Sequence, residues 1–268
     1  MKLVLASLFC IAMISCKEAP KETQAQSETA ETNPTLDDSN YPEAMRKVFA
    51  AHGGLATWKD HRMLSFEIAK PDKREKHSID LYSRNEKIEM PGIVMGSNGK
   101  DIWLLDENVA YKGDAVFYHN LMFYFYAMPF VLSDEGINYS RAEDLEFEGT
   151  SYPGIRISYN EGVGLSSKDE YFMHYNPKTF QMEWLGYTVT YRSGEKSDNI
   201  KWIRYNDWVD VEGLILPKSL TWHDYEGRTI KAPREPLLFE NVSLSKVPMA
   251  DEFFAKPVNA KIVNRKKE

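Results

Sequence analysis

Cysteine is almost missing from this chain of 268 residues: its two, Cys10 and Cys16, both fall within the first sixteen positions. No disulfide framework can therefore hold the folded part together. An excess of positive charge is missing as well. With 33 Lys and Arg against 40 Asp and Glu the net charge is −7, and no basic stripe of the kind that grips nucleic acid is present. Apolar runs of the roughly 20 residues needed to cross a bilayer are also missing. The two greasy stretches are Leu3–Ile14 and FYHNLMFYFYAMPFVL, Phe117–Leu132, and the second contains a proline.

Reactive motifs are equally scarce. Gly164-Leu165-Ser166-Ser167 lacks the glycine spacing of a nucleophile elbow. GSNGKD is too short for a phosphate loop, and Asp101 stands where Ser or Thr would reach magnesium. The histidines, at 52, 61, 77, 119, 174 and 223, show no metal-ligand spacing, so no metal or other cofactor is expected. His52 and His61 lie near predicted helix ends, where a histidine more often meets terminal carbonyls than substrate. Carboxylates are plentiful in DLEFE (144–148) and DWVDVEG (207–213), and a glycosidase needs only two facing each other. Trp184, Trp202, Trp208 and Trp222 would strengthen a sugar-binding reading if exposed. Alternation puts several of them on an apolar face, where core packing is the simpler account.

What is present begins with MKLVLASLFCIAMISC, a lysine, an apolar run and a small residue before Cys16. That order predicts a secretory signal over residues 1–15. MISC resembles a bacterial lipobox, with Met13 in place of the usual leucine, and predicts cleavage before Cys16 and its acylation. An ordinary signal peptide cleaved nearby is the alternative. Residues 16–40 hold six acids, two lysines and hardly any large apolar side chain. They read as a disordered tether, because such a segment buries too little surface to offset its ordering entropy. A folded domain is expected over 41–258 and a basic tail over 259–268. With 43% hydrophobic and 13% aromatic residues overall the chain can bury a core.

Pro42, the helical spacing of Met45, Val48, Phe49 and His52, and Gly53-Gly54 predict an opening helix; a short turn with Leu55 and Trp58 follows. From Leu64 the period becomes two, in LSFEI, SIDLYS, KIEM and DIWLLD, the last after the turn signal Asn98-Gly99. The texture returns in GIRISY, DEYFMHY, MEWLGYTVTYR, NIKWIRYNDWVDV, LILPKSLTWHDY and LFENVSLS. Long strands at this spacing predict one large curved antiparallel sheet, an α+β, mainly β fold. The aromatic stretch predicts a helix capped by Asp114, ended near Pro129 and apolar all round, so covered on most sides. It is either a core helix or a lid over an apolar cavity.

Five stretches, AHGGLATW, SNGKDIWLLD, DEYFMHYNPKTFQMEWLGY, VEGLILPKSLTWHDYEG and FENVSLSKVPMADEFFAKP, together resemble the LolA/LolB lipoprotein-localisation superfamily. Their order around the aromatic helix is similar to a family of bacterial outer-membrane lipoproteins of unknown function, over about Tyr41–Pro257. The resemblance implies a half-barrel whose open side is closed by helices around a cavity for acyl chains. Its wall would take Phe66, Ile68, Leu81, Met90, Trp103, Leu105 and Trp184, and its lid Phe117, Leu121, Tyr124 and Met128. It also implies a noncatalytic, monomeric protein of the bacterial envelope, most simply the outer membrane. That protein would bind or transfer a lipid or lipoprotein acyl chains and meet the membrane through Cys16. Such a tether fits a LolB-like protein better than a soluble shuttle. An envelope glycosidase or other carboxylate-dependent hydrolase, and a ligand-free interaction lipoprotein, are the alternatives.

Overall fold

The computed structural model describes residues 38–70, 74–164 and 166–264. The expected signal segment, Cys16 and nearly all of the tether lie outside them. Helix α1 (Glu43–Ala51) follows Pro42 and buries Met45, Val48 and Phe49, the positions given by the helical period. Gly53 and Gly54, both at positive φ, end it and lead into α2 (Leu55–Lys59), which buries Leu55 and Trp58. Gly53 is required twice over, since a Cβ there would run into the Gly213 carbonyl oxygen.

The first half of the chain supplies strands β1 (Met63–Ile68), β2 (Glu75–Asp80), β3 (Glu86–Met90), β4 (Ile93–Ser97) and β5 (Ile102–Leu105). After the aromatic segment come β6 (Ile137–Phe147), β7 (Thr150–Tyr159), β8 (Tyr171–Tyr175), β9 (Met182–Tyr187) and β10 (Lys201–Arg204). A separate hairpin, β11 (Trp208–Val211) and β12 (Leu214–Pro217), precedes β13 (Ser219–Glu226), β14 (Thr229–Pro233), β15 (Leu237–Ser245) and β16 (Lys261–Val263). All but the hairpin form one 14-stranded sheet in the order β16-β5-β4-β3-β2-β1-β15-β13-β10-β9-β8-β7-β6, with β14 beside β13. The sheet is antiparallel and does not close into a barrel, as the alternating texture and the resemblance lead one to expect. Strand β15 joins the two halves, pairing with β1 on one side and β13 on the other. Three residues of the expected tail, Lys261–Val263, pair with β5 as an edge strand.

The inner face of the sheet is covered and the outer face is covered in patches, while Lys76 and Glu240 on it stay exposed. On the inner face Leu64, Phe66 and Ile68 stand beside Ile79, His77 and Glu75 across the β1–β2 register. The core formed there takes in α1, α2 and the aromatic segment. Phe66 stacks on Tyr126 at 4.4 Å and on His77 at 4.8 Å, and Trp58 stacks on Phe130 at 4.8 Å. Such pairs add about 0.5–1.5 kcal/mol each beyond the area they bury.

The outer face carries its own cluster of Leu145, Tyr152, Trp184 and Trp202. Trp184 pairs in register with His174 and Arg204, one residue out of phase with the inward Leu185. Trp103 and Leu105 stand opposite Gly96 and Val94, one residue out of phase with the inward Met95. The expectation that Trp103, Leu105 and Trp184 line the inner cavity is thus corrected. The physical reason is that the outer face is also sealed at these points. The Trp103 indole donates to the Phe254 carbonyl at 3.2 Å from the C-terminal segment, and Arg204 lies over Trp184. Trp208 and Trp222 are half-buried against the main core, so none of the four tryptophans offers an open sugar platform.

Gly96 is what lets Trp103 lie flat. A Cβ there would sit 2.5 Å from the Glu86 carbonyl oxygen and 2.6 Å from the indole. Gly96→Ala is expected to cost about 1–3 kcal/mol through overpacking, read from the shift of the urea midpoint. A loss below about 0.5 kcal/mol, the level of an ordinary surface change, would show that the indole can slide aside.

Candidate functional site

The aromatic segment is the element that shapes the site. Asp114 begins it as the sequence predicts, its Oδ1 accepting from the N–H groups of Val116 at 3.0 Å and Phe117 at 3.1 Å. The single helix expected over Phe117–Leu132 is instead three pieces. These are α3 (Ala115–Tyr118), α4 (Leu121–Tyr126) and a 3-10 turn over Phe130–Ser133. Asn120 makes the first break, at φ 58°, a left-handed conformation that asparagine tolerates better than most residues. Its backbone N–H turns away to the Glu86 carboxylate at 2.5 Å. Pro129, preceded by a cis bond, makes the second break because it has no N–H to continue the ladder.

Beneath α3 lies a buried polar group that no local pattern announces. His77, fully buried, has Nδ1 3.2 Å from Glu86 and Nε2 3.6 Å from Glu75, and both acids are buried too. Tyr118 and Lys70 each donate to Glu75 at 2.5 Å. Burial alone would lower the His77 pKa, but the two flanking carboxylates outweigh it and hold the ring above its ordinary value. Burial alone would raise Glu75; the nearby His77 ring and the hydrogen bonds from Lys70 and Tyr118 bring it down to about 2. Register brings these groups together, since Phe66↔His77 and Ile79↔Glu86 place all three acid and imidazole side chains on the inner face. The 3.6 Å separation to Glu75 is too long for a hydrogen bond and acts as an ion pair.

The space expected under the aromatic segment is filled. Met122, Phe123, Phe125 and Tyr126 of α4 are buried, and Phe66, Ile68 and Met128 are sealed in the same core. Met90 packs in a small cluster with Ile88, Met95, Ala115 and Tyr118. Leu81 borders a groove of about 380 Å³ that also includes Arg84 and Asp134. The open cavity lies on the other flank of α4, against the β7–β8 loop and Tyr191. It measures about 340 Å³, at the lower end of the roughly 300–1,000 Å³ usual for ligand pockets. Of the expected lid residues, Phe117, Leu121 and Tyr124 line it and Met128 does not. Tyr124 stands partly exposed at its mouth, 38% accessible, while Tyr126 is wholly buried and stacked on Phe66.

The pocket wall is apolar and aromatic with a few polar groups: Val131, Val163, Tyr159 and Tyr171 stand with His119, Asn120, Asp134 and Asp169. Burial raises Asp134, against the pull of Arg84, which donates to it at 2.5 Å. Burial also raises Asp169, whose Oδ1 accepts from the Thr190 N–H at 2.6 Å. Burial pushes up the Tyr124, Tyr159 and Tyr171 phenols. Charge at Asp134 adds to this at Tyr124, and charge at Asp169 at Tyr171; both acids add to it at Tyr159. His119 is held below its ordinary value by burial.

The acids singled out in DLEFE and DWVDVEG do not line this pocket; Asp144 borders a separate groove of about 530 Å³ beside Pro42 and Tyr139. Asp134 and Asp169 carry no local signal, because each sits in an ordinary acidic turn, Asp134-Glu135 and Asp169-Glu170, and only the fold brings them to one pocket. Among the described residues no three His, Cys, Asp or Glu side chains converge on a metal position. No described helix is long and apolar enough to cross a membrane.

No curated protein matches the chain. Three solved structures are similar to it at a TM-score of 0.45. A LolA superfamily protein from Nitrosomonas europaea is 12% identical, with 72% of this chain and 88% of that one covered. A DUF1329 family protein from Desulfovibrio piger ATCC 29098 is 11% identical, covering 78% and 97%. An outer membrane lipoprotein-sorting protein domain from Vibrio parahaemolyticus, described as putative in its own name, is 9% identical, covering 79% and 94%. A model of a family of unknown function, DUF6503, matches residues 76–220, more than half of the sequence, and the chain belongs to that family.

Proposed function

We propose that the chain is a noncatalytic envelope protein, held at a membrane through acylated Cys16, that binds one apolar-chained molecule in the pocket beside α4. The observation that supports this most is a cavity of about 340 Å³ walled by Phe117, Leu121, Phe125, Val131 and Val163 beside a packed inner face. The likeness of the strand and turn order to the lipoprotein-localisation superfamily points the same way. Because the inner face is filled, the ligand is a single chain rather than the several of a lipoprotein. At about 30 Å³ per water-sized group the pocket takes roughly ten carbons. Burying ten methylenes at about 0.8 kcal/mol each gives an upper bound near 8 kcal/mol, or a Kd of about 1 µM.

Lipid extraction and mass spectrometry of the purified protein, with titration of ten-carbon amphiphiles, test this reading. Leu121→Glu is expected to weaken binding at least tenfold with an unchanged circular dichroism spectrum, since Leu121 is half-exposed on the pocket wall. No co-purifying lipid and no binding by the wild type would leave the interaction-lipoprotein alternative. Metabolic labelling with a palmitate analogue, lost in Cys16→Ser, tests the anchor. A hydrolase is the second reading, favoured by two acids of raised pKa in one pocket. It requires an activity on glycosides or esters that Asp169→Asn or Asp134→Asn abolishes.

A further inference from the structure

The polar groups of this pocket are unequal in sign. No lysine or arginine lines it among the described residues. Asp134 has its charge matched by Arg84. Asp169 has no cation within ion-pair distance among the described residues, and the groups that hold it are Thr190 and burial. Asn120, only 6% exposed, gives its amide N–H to the Arg84 carbonyl at 3.3 Å, while its Oδ1 is buried without a hydrogen-bond partner. A buried acceptor left unpaired costs about 1–3 kcal/mol, so a donor supplied from outside would relieve it. Glu135 adds a further carboxylate at the rim. The Tyr159 and Tyr171 rings meet edge to face at 5.9 Å, and aromatic faces attract a cation within about 6 Å.

We propose that the pocket beside α4 takes the alkylammonium head of an amine-bearing amphiphile, with Asp169 and Asn120 as acceptors, Tyr159 and Tyr171 as ring walls, and the tail along Leu121 and Val163. This rests on reading the pocket as a binding site for an apolar chain, and names the headgroup. A protonated amine carries the N–H donors that Asn120 Oδ1 lacks and the charge that Asp169 lacks. A carboxylate, sulfate or phosphate head would instead face Asp169 with no compensating cation in the lining. An alcohol would satisfy one acceptor and leave the charge unmatched. The rise in the Asp169 pKa is in keeping with this, because an arriving ammonium favours the ionised carboxylate that burial disfavours.

The test is isothermal titration of the full chain at pH 7 with decylammonium chloride, 1-decanol and sodium decyl sulfate, which share one tail length. The expected order is ammonium at least tenfold tighter than alcohol, with the sulfate weaker still. Asp169→Asn keeps an acceptor for the Thr190 N–H and is expected to erase the tenfold advantage of ammonium over decanol; a circular dichroism spectrum and melting temperature like those of the wild type show that the variant is folded. Asn120→Leu reports separately, and is expected to weaken the amine more than the alcohol. Sulfate binding as well as ammonium, or an ammonium advantage that survives Asp169→Asn, overturns the headgroup assignment and leaves the apolar pocket standing. Failure of all three compounds to bind overturns both.

Discussion

Between pH 7 and pH 4 the stability advantage of the wild-type protein over a His52→Gln variant is expected to shrink by roughly 3 kcal/mol. His52 is fully buried with both ring nitrogens committed. The Ile215 carbonyl, 3.0 Å from Nδ1, can only accept, and the Met182 N–H, 3.0 Å from Nε2, can only donate. The neutral tautomer with a proton on Nδ1 is therefore built in, and a second proton would point at an N–H. Burial brings the ring down to about 4 from its usual 6.5. The unfolded chain takes up that proton as pH falls below about 6.5, and the native state does not. The stabilisation is thus whole above 6.5 and is lost as pH falls towards 4.

His174 acts in the same direction, since burial brings it to about 4 with Nδ1 on the Tyr152 carbonyl. A His52→Gln/His174→Gln pair is expected to flatten the acid limb about twice as much. Asp134, Asp169 and Glu183, raised by burial, gain protons in the native state and oppose the loss. They are common to both proteins, so they cancel in the comparison. His77 is raised, so its contribution is whole below about 6.5 and fades only as pH rises, outside the acid window. Urea unfolding of wild type and variant at half-unit steps measures the difference; parallel curves would show that His52 is protonated equally in both states.

Glu86→Ala is expected to be the most costly single change among the charged residues, at about 3–5 kcal/mol, the usual result of removing one partner from a buried ionic group. For a domain of this size that lowers Tm by on the order of 6–20 °C. Two losses combine. His77 keeps its burial but loses one of the two carboxylates that hold its charge. The Asn120 N–H, which Glu86 accepts at the break between α3 and α4, is left unpaired. Glu86→Gln retains an acceptor for that N–H and is expected to recover part of the loss. Because the break sets where Leu121 and Tyr124 point, Glu86→Ala should also weaken ligand binding, and Glu86→Gln less so. A melting temperature within about 2 °C of wild type would show that the buried trio contributes little.

Much of the fold was legible because it rests on local chemistry. Met45, Val48 and Phe49 followed the helical period into the core, and Asp114 capped where an aspartate before an apolar run should. Asn98-Gly99 turned between β4 and β5, with Asn98 accepting from the Lys100 and Asp101 N–H groups. His61 met the Thr57 carbonyl at the end of α2. The strands announced themselves by alternation, although β4, β6, β14 and β16 went unmarked. The break at Asn120 was not legible, because it depends on a carboxylate 34 positions away.

The sequence by itself determined that this is a sheet with a buried aromatic segment, with no disulfide framework in its folded part, and with an N-terminus that reads as a lipoprotein signal. Periods of two and of 3.6 residues are properties of neighbouring side chains, and they survive without knowledge of the fold. Only the tertiary structure decided which face each strand turned to the helices. Where the outer face is sealed too, alternation is the same for Trp103 turned outward as for Phe66 turned inward, and the difference lies in Phe254, 151 positions along the chain. It also decided where the open space lies. A cavity is what packing leaves over, and Asp134, Asp169 and Tyr191 share one only because β7, β8 and the aromatic segment meet there.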